Sequence, residues 1–140
     1  MGPAPGAGSA ATAPSPAHAS GTLYRRLGGY DAIATVVDDF LARMMGDAVL
    51  AGFFEDMSVP EKSRVRQMLV DQLCEMSGGP CVYVGQDMRT AHQALGITED
   101  DWNRAVAHLV ATLDQLRVVG REREELLAAV SALKGEIVNP

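Results

Sequence analysis

The chain has 140 residues, 47% hydrophobic and 21% charged, which is enough apolar material for one domain with its own core. A formal net charge of -6 and the lack of a basic stripe exclude a general nucleic-acid binder. No apolar run approaches the ~20 residues of a membrane span. Residues 1–21 are almost all Ala, Pro, Gly, Ser and Thr, a composition with little to bury, and a disordered tail is expected there. The tail lacks the basic start and long apolar centre of a signal peptide. The expected location is therefore the cytoplasm, or the periplasm if the tail is a linker left after processing. His18, within the tail, reads as a solvated bystander.

From Thr22 the text becomes helical. Ile33, Val36, Val37, Phe40, Leu41 and Met44 fall at steps of three and four after Gly28-Gly29, which predicts an amphipathic helix. Leu50-Ala51-Gly52-Phe53-Phe54 is a short connection whose adjacent phenylalanines point different ways, so at least one reaches the core. Phe40, Phe53 and Phe54 pack the core or wall a flat aromatic ligand. Ser58-Val59-Pro60-Glu61 is a helix start, with Ser as cap, Pro in the first turn and Glu three after the cap. That helix carries Val65, Leu69, Leu73 and Met76 and stops at Gly78-Gly79-Pro80. Thr98-Glu99-Asp100-Asp101 opens another, with Trp102, Ala105, Val106, Leu109, Leu113 and Leu116 as its stripe and Gly120 as its end. A last helix from about Arg121 carries Leu126, Leu127, Val130, Leu133 and Ile137. No segment alternates like a strand. Four main helices and several short ones predict an all-α domain over 22–140.

Cys74 and Cys81 do not form a zinc pattern. Two thiols, one of them buried, are the expected state; a disulfide across so short a separation is the alternative.

The richest segment runs from Gly85 to Ile97. Glycines fence it, so any helix there is short. Met88 and His92 are four apart on one helical face, and Leu95 joins them. One imidazole on a small, mostly apolar face is a satisfied, half-buried histidine or the axial ligand of a haem iron. His108 falls opposite its helix's apolar stripe, with Asp101, Arg104 and Gln115, and reads as a surface or rim histidine.

Thr22-Leu23-Tyr24-Arg25-Arg26-Leu27-Gly28-Gly29 resembles the start of a truncated haemoglobin. So do Ala32-Ile33 followed by Val36-Val37-Asp38-Asp39-Phe40, and the Phe53-Phe54 pair. Gly78-Gly79-Pro80, then Tyr83, Gly85, Met88 and His92, is similar to that family's pattern, with Gly96-Ile97-Thr98 following at the expected distance. The match covers about residues 22–140 and resembles the family's first group. It implies a two-over-two helical sandwich around a b-type haem (iron protoporphyrin IX), with His92 as the proximal iron ligand. It implies haem contacts from Tyr83, Met88, Ile97, Trp102 and Ala105. It also implies haem contacts from Phe40, Leu41, Phe53, Phe54, Val65, Leu69, Gln72 and Leu73. The Tyr83 hydroxyl and the cations Lys62, Arg64 and Arg66 are candidates for the propionates.

The distal side departs from the family's usual pattern. Members of the group often carry Tyr just after the matching Phe; here that residue is Leu41. Counted back without gaps from Gly78-Gly79, Val65 and Leu69 occupy positions where polar residues, often Gln, commonly sit. The loop from Glu55 to Ser63 is about three residues longer than usual, and a slip of one or two would bring Gln67 or Met68 inward. Gln72 is the other polar candidate. The ungapped reading is an apolar pocket. Dioxygen, polarised on a haem iron, gains roughly 1–3 kcal/mol from a donor, so it leaves faster where none is present. The last helix has no histidine to bond a haem vinyl covalently.

The resemblance implies a gas-binding haem protein for dioxygen, NO or CO, as carrier, store or sensor. The alternative is an NO dioxygenase or peroxidase-like enzyme. It would need an external reductase, since the chain carries no flavin or nicotinamide motif, and the apolar distal side lacks the acid–base residue of a good peroxidase. A helical interaction module without haem is the third reading.

Overall fold

The computed structural model describes residues 21–138 except Ala94. The expected tail, apart from Gly21, lies outside the described residues. Helix α1 (Leu23–Leu27) starts under Thr22, whose Oγ1 accepts from the Arg25 N–H at 3.1 Å. Helix α2 (Tyr30–Met45) follows Gly28-Gly29, and a 3-10 turn spans Leu50–Phe53. Helix α3 (Val59–Met76) opens with a reciprocal cap: Glu61 N–H donates to Ser58 Oγ at 3.2 Å, and Ser58 N–H to Glu61 Oε1 at 2.7 Å. Helix α4 (Met88–His92) is the short glycine-fenced one. Helix α5 (Glu99–Gln115) has the same reciprocal cap between Thr98 and Asp101, at 3.0 and 3.1 Å. Helices α6 (Gly120–Ser131) and α7 (Lys134–Ile137) complete the chain, and no strand occurs among the described residues.

Helix α2 is the centre. It packs against α3 and α5, and its Ile33, Val36, Val37 and Leu41 join Val70 and Leu73 of α3, Leu109 and Leu113 of α5, and Leu126 of α6 in one core. The buried Thr112 hydroxyl would be costly without a partner; it donates to Asp39 Oδ1 at 2.6 Å. That bond, with the Arg43 guanidinium, holds the Asp39 carboxyl below its ordinary range.

Three local features differ from the sequence reading. The deepest residues of α3 are Val70, Leu73 and Cys74, followed by Ser77 at its end; of the expected stripe only Leu73 is fully buried, while Val65, Leu69 and Met76 pack on the core's edge, so the core face is rotated part of the way from that stripe. Small Cys74 and Ser77 let the chain approach closely there, and the Ser77 hydroxyl is satisfied by the Leu73 carbonyl at 2.6 Å. The last helix is two pieces, because the Leu133 N–H bonds back to Val130, three residues away, and breaks the α-helical register. The two cysteines are a disulfide, with Cα atoms 5.7 Å apart, not thiols. The Gly78-Gly79 turn folds the chain back toward α3 and makes the pairing possible. A Cβ on Gly79 would fall 2.4 Å from Tyr24 Cδ1 and 2.8 Å from Cys74 Sγ, so only glycine fits without a shift.

Candidate functional site

Helix α4 is built by local chemistry. Asp87 caps it, accepting from the Thr90 N–H and Oγ1 at 2.9 Å each. The five residues include none that is fully buried, so packing alone does not hold the helix. It leans on α7, and α7 is tied to the start of α5 by the Lys134–Glu99 ion pair. This support from the chain's end was not legible in sequence, where Lys134 reads as one more cation on a long helix.

His92 is half-buried. Its Nδ1–H donates to the Met88 carbonyl at 2.8 Å, one turn back. The opposite nitrogen, Nε2, has no hydrogen-bond partner among the described residues. A neutral imidazole with one nitrogen fixed by a backbone carbonyl presents a lone pair on the other, which is the donor chemistry an iron ligand requires. Met88 and Tyr83 are half-buried nearby in sequence. The Tyr83 hydroxyl donates to the Gln86 carbonyl at 2.5 Å and so is engaged within its own loop, not left for a propionate. Burial, and then the Asp87 carboxylate, push the Tyr83 phenol up.

Helix α3 stands over this loop. A Cβ on Gly85 would come within 2.8 Å of the Tyr83 ring and 3.0 Å of Met68 Sδ, so the three residues converge. Val65, Leu69, Gln72 and Met76, at steps of four, three and four, form a half-buried stripe beside the core face of α3. Phe40, Phe54, Val65 and Leu69 pack against the core edge. Leu41 and Leu73, expected at the pocket, are themselves core residues, 5% and 8% exposed. Phe53, Ile97 and Ala105 are half-buried, and Trp102 is buried outside the main cluster.

The polar candidates sort differently from one another. Gln67 is exposed and donates to the Tyr30 hydroxyl at 3.0 Å and to Asp71 Oδ1 at 3.1 Å, so it is turned outward, whereas Met68 is half-buried with its sulfur toward Tyr83 and Gly85. The Gln72 amide is half-buried and has no hydrogen-bond partner among the described residues. Arg66 is bidentate to Asp38, at 2.5 and 3.1 Å, and is not free for a propionate; Lys62 and Arg64 carry no such pairing among the described residues. His108 Nε2–H donates to Asp47 Oδ2 at 2.7 Å, and Arg104 lies 3.6 Å from the same carboxylate. Asp47 also caps the 3-10 turn through the Val49 N–H at 2.8 Å.

The family model for bacterial-like globins matches residues 22–139. A group 1 truncated hemoglobin of Mycolicibacterium paratuberculosis is 32% identical over 116 residues, covering 83% of each chain. A group 1 truncated hemoglobin of Synechocystis is 34% identical over 118 residues, covering 81% of this chain and 90% of its own. Among solved structures, the truncated hemoglobin of Tetrahymena pyriformis in its Fe(III) form superposes with a TM-score of 0.78 at 23% identity, over 86% of this chain and all of its own. The 2/2 hemoglobin of Synechococcus, solved with covalently attached heme, gives 0.75 at 27% identity over 83% of this chain and 95% of its own. The fold is thus the two-over-two truncated globin sandwich. On the family match and on relatives a third identical over four-fifths of its length, this chain belongs to the bacterial-like globins, as a group 1 truncated haemoglobin.

Proposed function

We propose that this globin holds haem b through His92 and binds dioxygen and other diatomic gases against a largely apolar distal wall. Haem-based gas binding is the function of the family to which it belongs, and haem supplies the iron to which such a gas coordinates. The observation that carries the assignment to this residue is the His92 ring itself, steered by the Met88 carbonyl so that Nε2 is left as the open nitrogen. The half-buried faces of Val65 and Leu69 and the rings of Phe40 and Phe54 suit an apolar macrocycle and exclude water from it. No hydroxyl stands at Leu41 to donate to a bound gas. Tyr83 stiffens the loop before α4 through Gln86.

The experiment is the absorption spectrum of the protein produced with haem, as ferric, ferrous, oxygen-bound and CO-bound forms. A histidine-ligated haem spectrum that His92→Ala loses supports the proposal. A parent that takes up no haem, or a His92→Ala variant with the native spectrum, overturns it.

A further inference from the structure

We propose that the Cys74–Cys81 disulfide is a redox-operated latch that holds α4, and with it His92, in place. The bridge joins the end of α3 to the loop that leads into α4. Cys74 is fully buried beside the Tyr24 ring, whereas Cys81 is half-buried and accessible. From Pro80 to Asp87 the chain has no regular structure, and Val82 and Val84 are 65% and 86% exposed. Beyond the disulfide, the hydrogen bond tying this loop to α3 among the described residues is the one from the Tyr83 N–H to Glu75 Oε1, long at 3.3 Å and exposed. The Tyr83–Gln86 bond is internal to the loop. Helix α4 has no fully buried residue of its own. Its position therefore depends on its two ends, α7 on one side and the bridged loop on the other. Breaking the bridge removes the covalent one and leaves, among the described residues, one exposed hydrogen bond and the packing of Met68 on Tyr83 and Gly85, which open far more easily than a covalent bond.

The chemistry is a two-electron exchange with a dithiol reductant. Its thiolate attacks the Sγ of Cys81, the less buried of the two residues, the S–S bond breaks, and Cys74 leaves as a thiolate that takes a proton. The second thiol of the reductant then resolves the mixed disulfide, releasing Cys81 as a thiol and the reductant as its cyclic disulfide. The oxidised chain has α4 clamped; the reduced chain has a longer free tether before it.

The consequence for haem rests on the reading of His92 as the iron ligand, and the test separates the two. The full-length protein is purified in air, and one half is reduced with dithiothreitol and desalted under nitrogen. Alkylation of the unreduced half must find neither thiol; modification of both overturns the latch. Hydrogen–deuterium exchange then compares the halves. Faster exchange after reduction at residues 82–93, with α2 and α5 unchanged, is the expected result. No change there, or an equal change in every helix, overturns it. This arm needs no haem, so it decides the latch even if His92 holds no iron. In the haem-loaded protein, haem loss to excess apomyoglobin should be at least about threefold faster after reduction. Cys81→Ser, whose site is accessible, should match the reduced parent and ignore dithiothreitol. Equal rates in oxidised and reduced parent overturn the link to His92.

Discussion

Met88 sets the ring of His92: the Nδ1–H donates to the Met88 carbonyl at 2.8 Å, within a helix of only five residues. Donor and acceptor belong to the same turn, so the ring orientation is a local property and survives modest movement elsewhere. His92→Ala should therefore lose most of the haem while the rest of the domain stays folded. His108→Ala should keep it, because the His108 ring is turned to Asp47. Haem content and the Soret band of both variants decide the matter; the reverse pattern would sink the assignment.

The distal wall makes a kinetic prediction. Leu41→Tyr places a hydroxyl where the chain has none, and oxygen release should slow by roughly tenfold, since about 1.4 kcal/mol is a factor of ten. CO release should change much less. Gln67→Leu should change neither rate, because Gln67 faces Tyr30 and Asp71. Gln72→Leu is the sharpest check, since its amide is half-buried and has no hydrogen-bond partner among the described residues. Release within about twofold of the parent supports the apolar pocket, and a large acceleration means Gln72 already donates to the bound gas.

Asp47 predicts an acid transition. The hydrogen bond from His108, then the backbone N–H of Val49, holds its carboxyl down from the ordinary 3.8 to about 2. A carboxyl held low in the folded chain contributes stability above its unfolded value and loses it as pH falls through the folded one. The stability difference between the parent and Asp47→Asn should therefore be full above pH 4 and shrink toward pH 2. Urea unfolding of both proteins across that window measures it; a constant difference would show that the charge contributes nothing.

Gly79→Ala should cost about 1–3 kcal/mol, because the added Cβ meets the Tyr24 ring and Cys74 Sγ in a closed space. Gly52→Ala is the control, since a Cβ there meets nothing within 4 Å. Urea midpoints for the pair check the argument. Equal midpoints would mean that the α1–α3 contact gives way cheaply.

What the sequence determined by itself was everything governed by neighbours along the chain. Ser58 with Glu61, and Thr98 with Asp101, are reciprocal caps because the partners sit three residues apart. The stripes of α2 and α5 follow the helical period, and His92 stands on a short helix because glycines and Asp87 bound it. Tertiary structure alone decided the contacts between segments far apart. His108 meets Asp47 across 61 positions, and Arg66 meets Asp38 across 28. No period relates such partners, so each cation read as equally free. The core face of α3 differs from its apolar stripe for a related reason. Counting apolar residues favours Val65 and Leu69, but burial is deepest at Val70 and Leu73 and at the end of the helix pressed against Tyr24 of α1, where small Cys74 and Ser77 fit. The disulfide depends on the path of the turn at Gly78-Gly79, since two cysteines seven apart pair only if the backbone brings their Cα atoms to 5.7 Å.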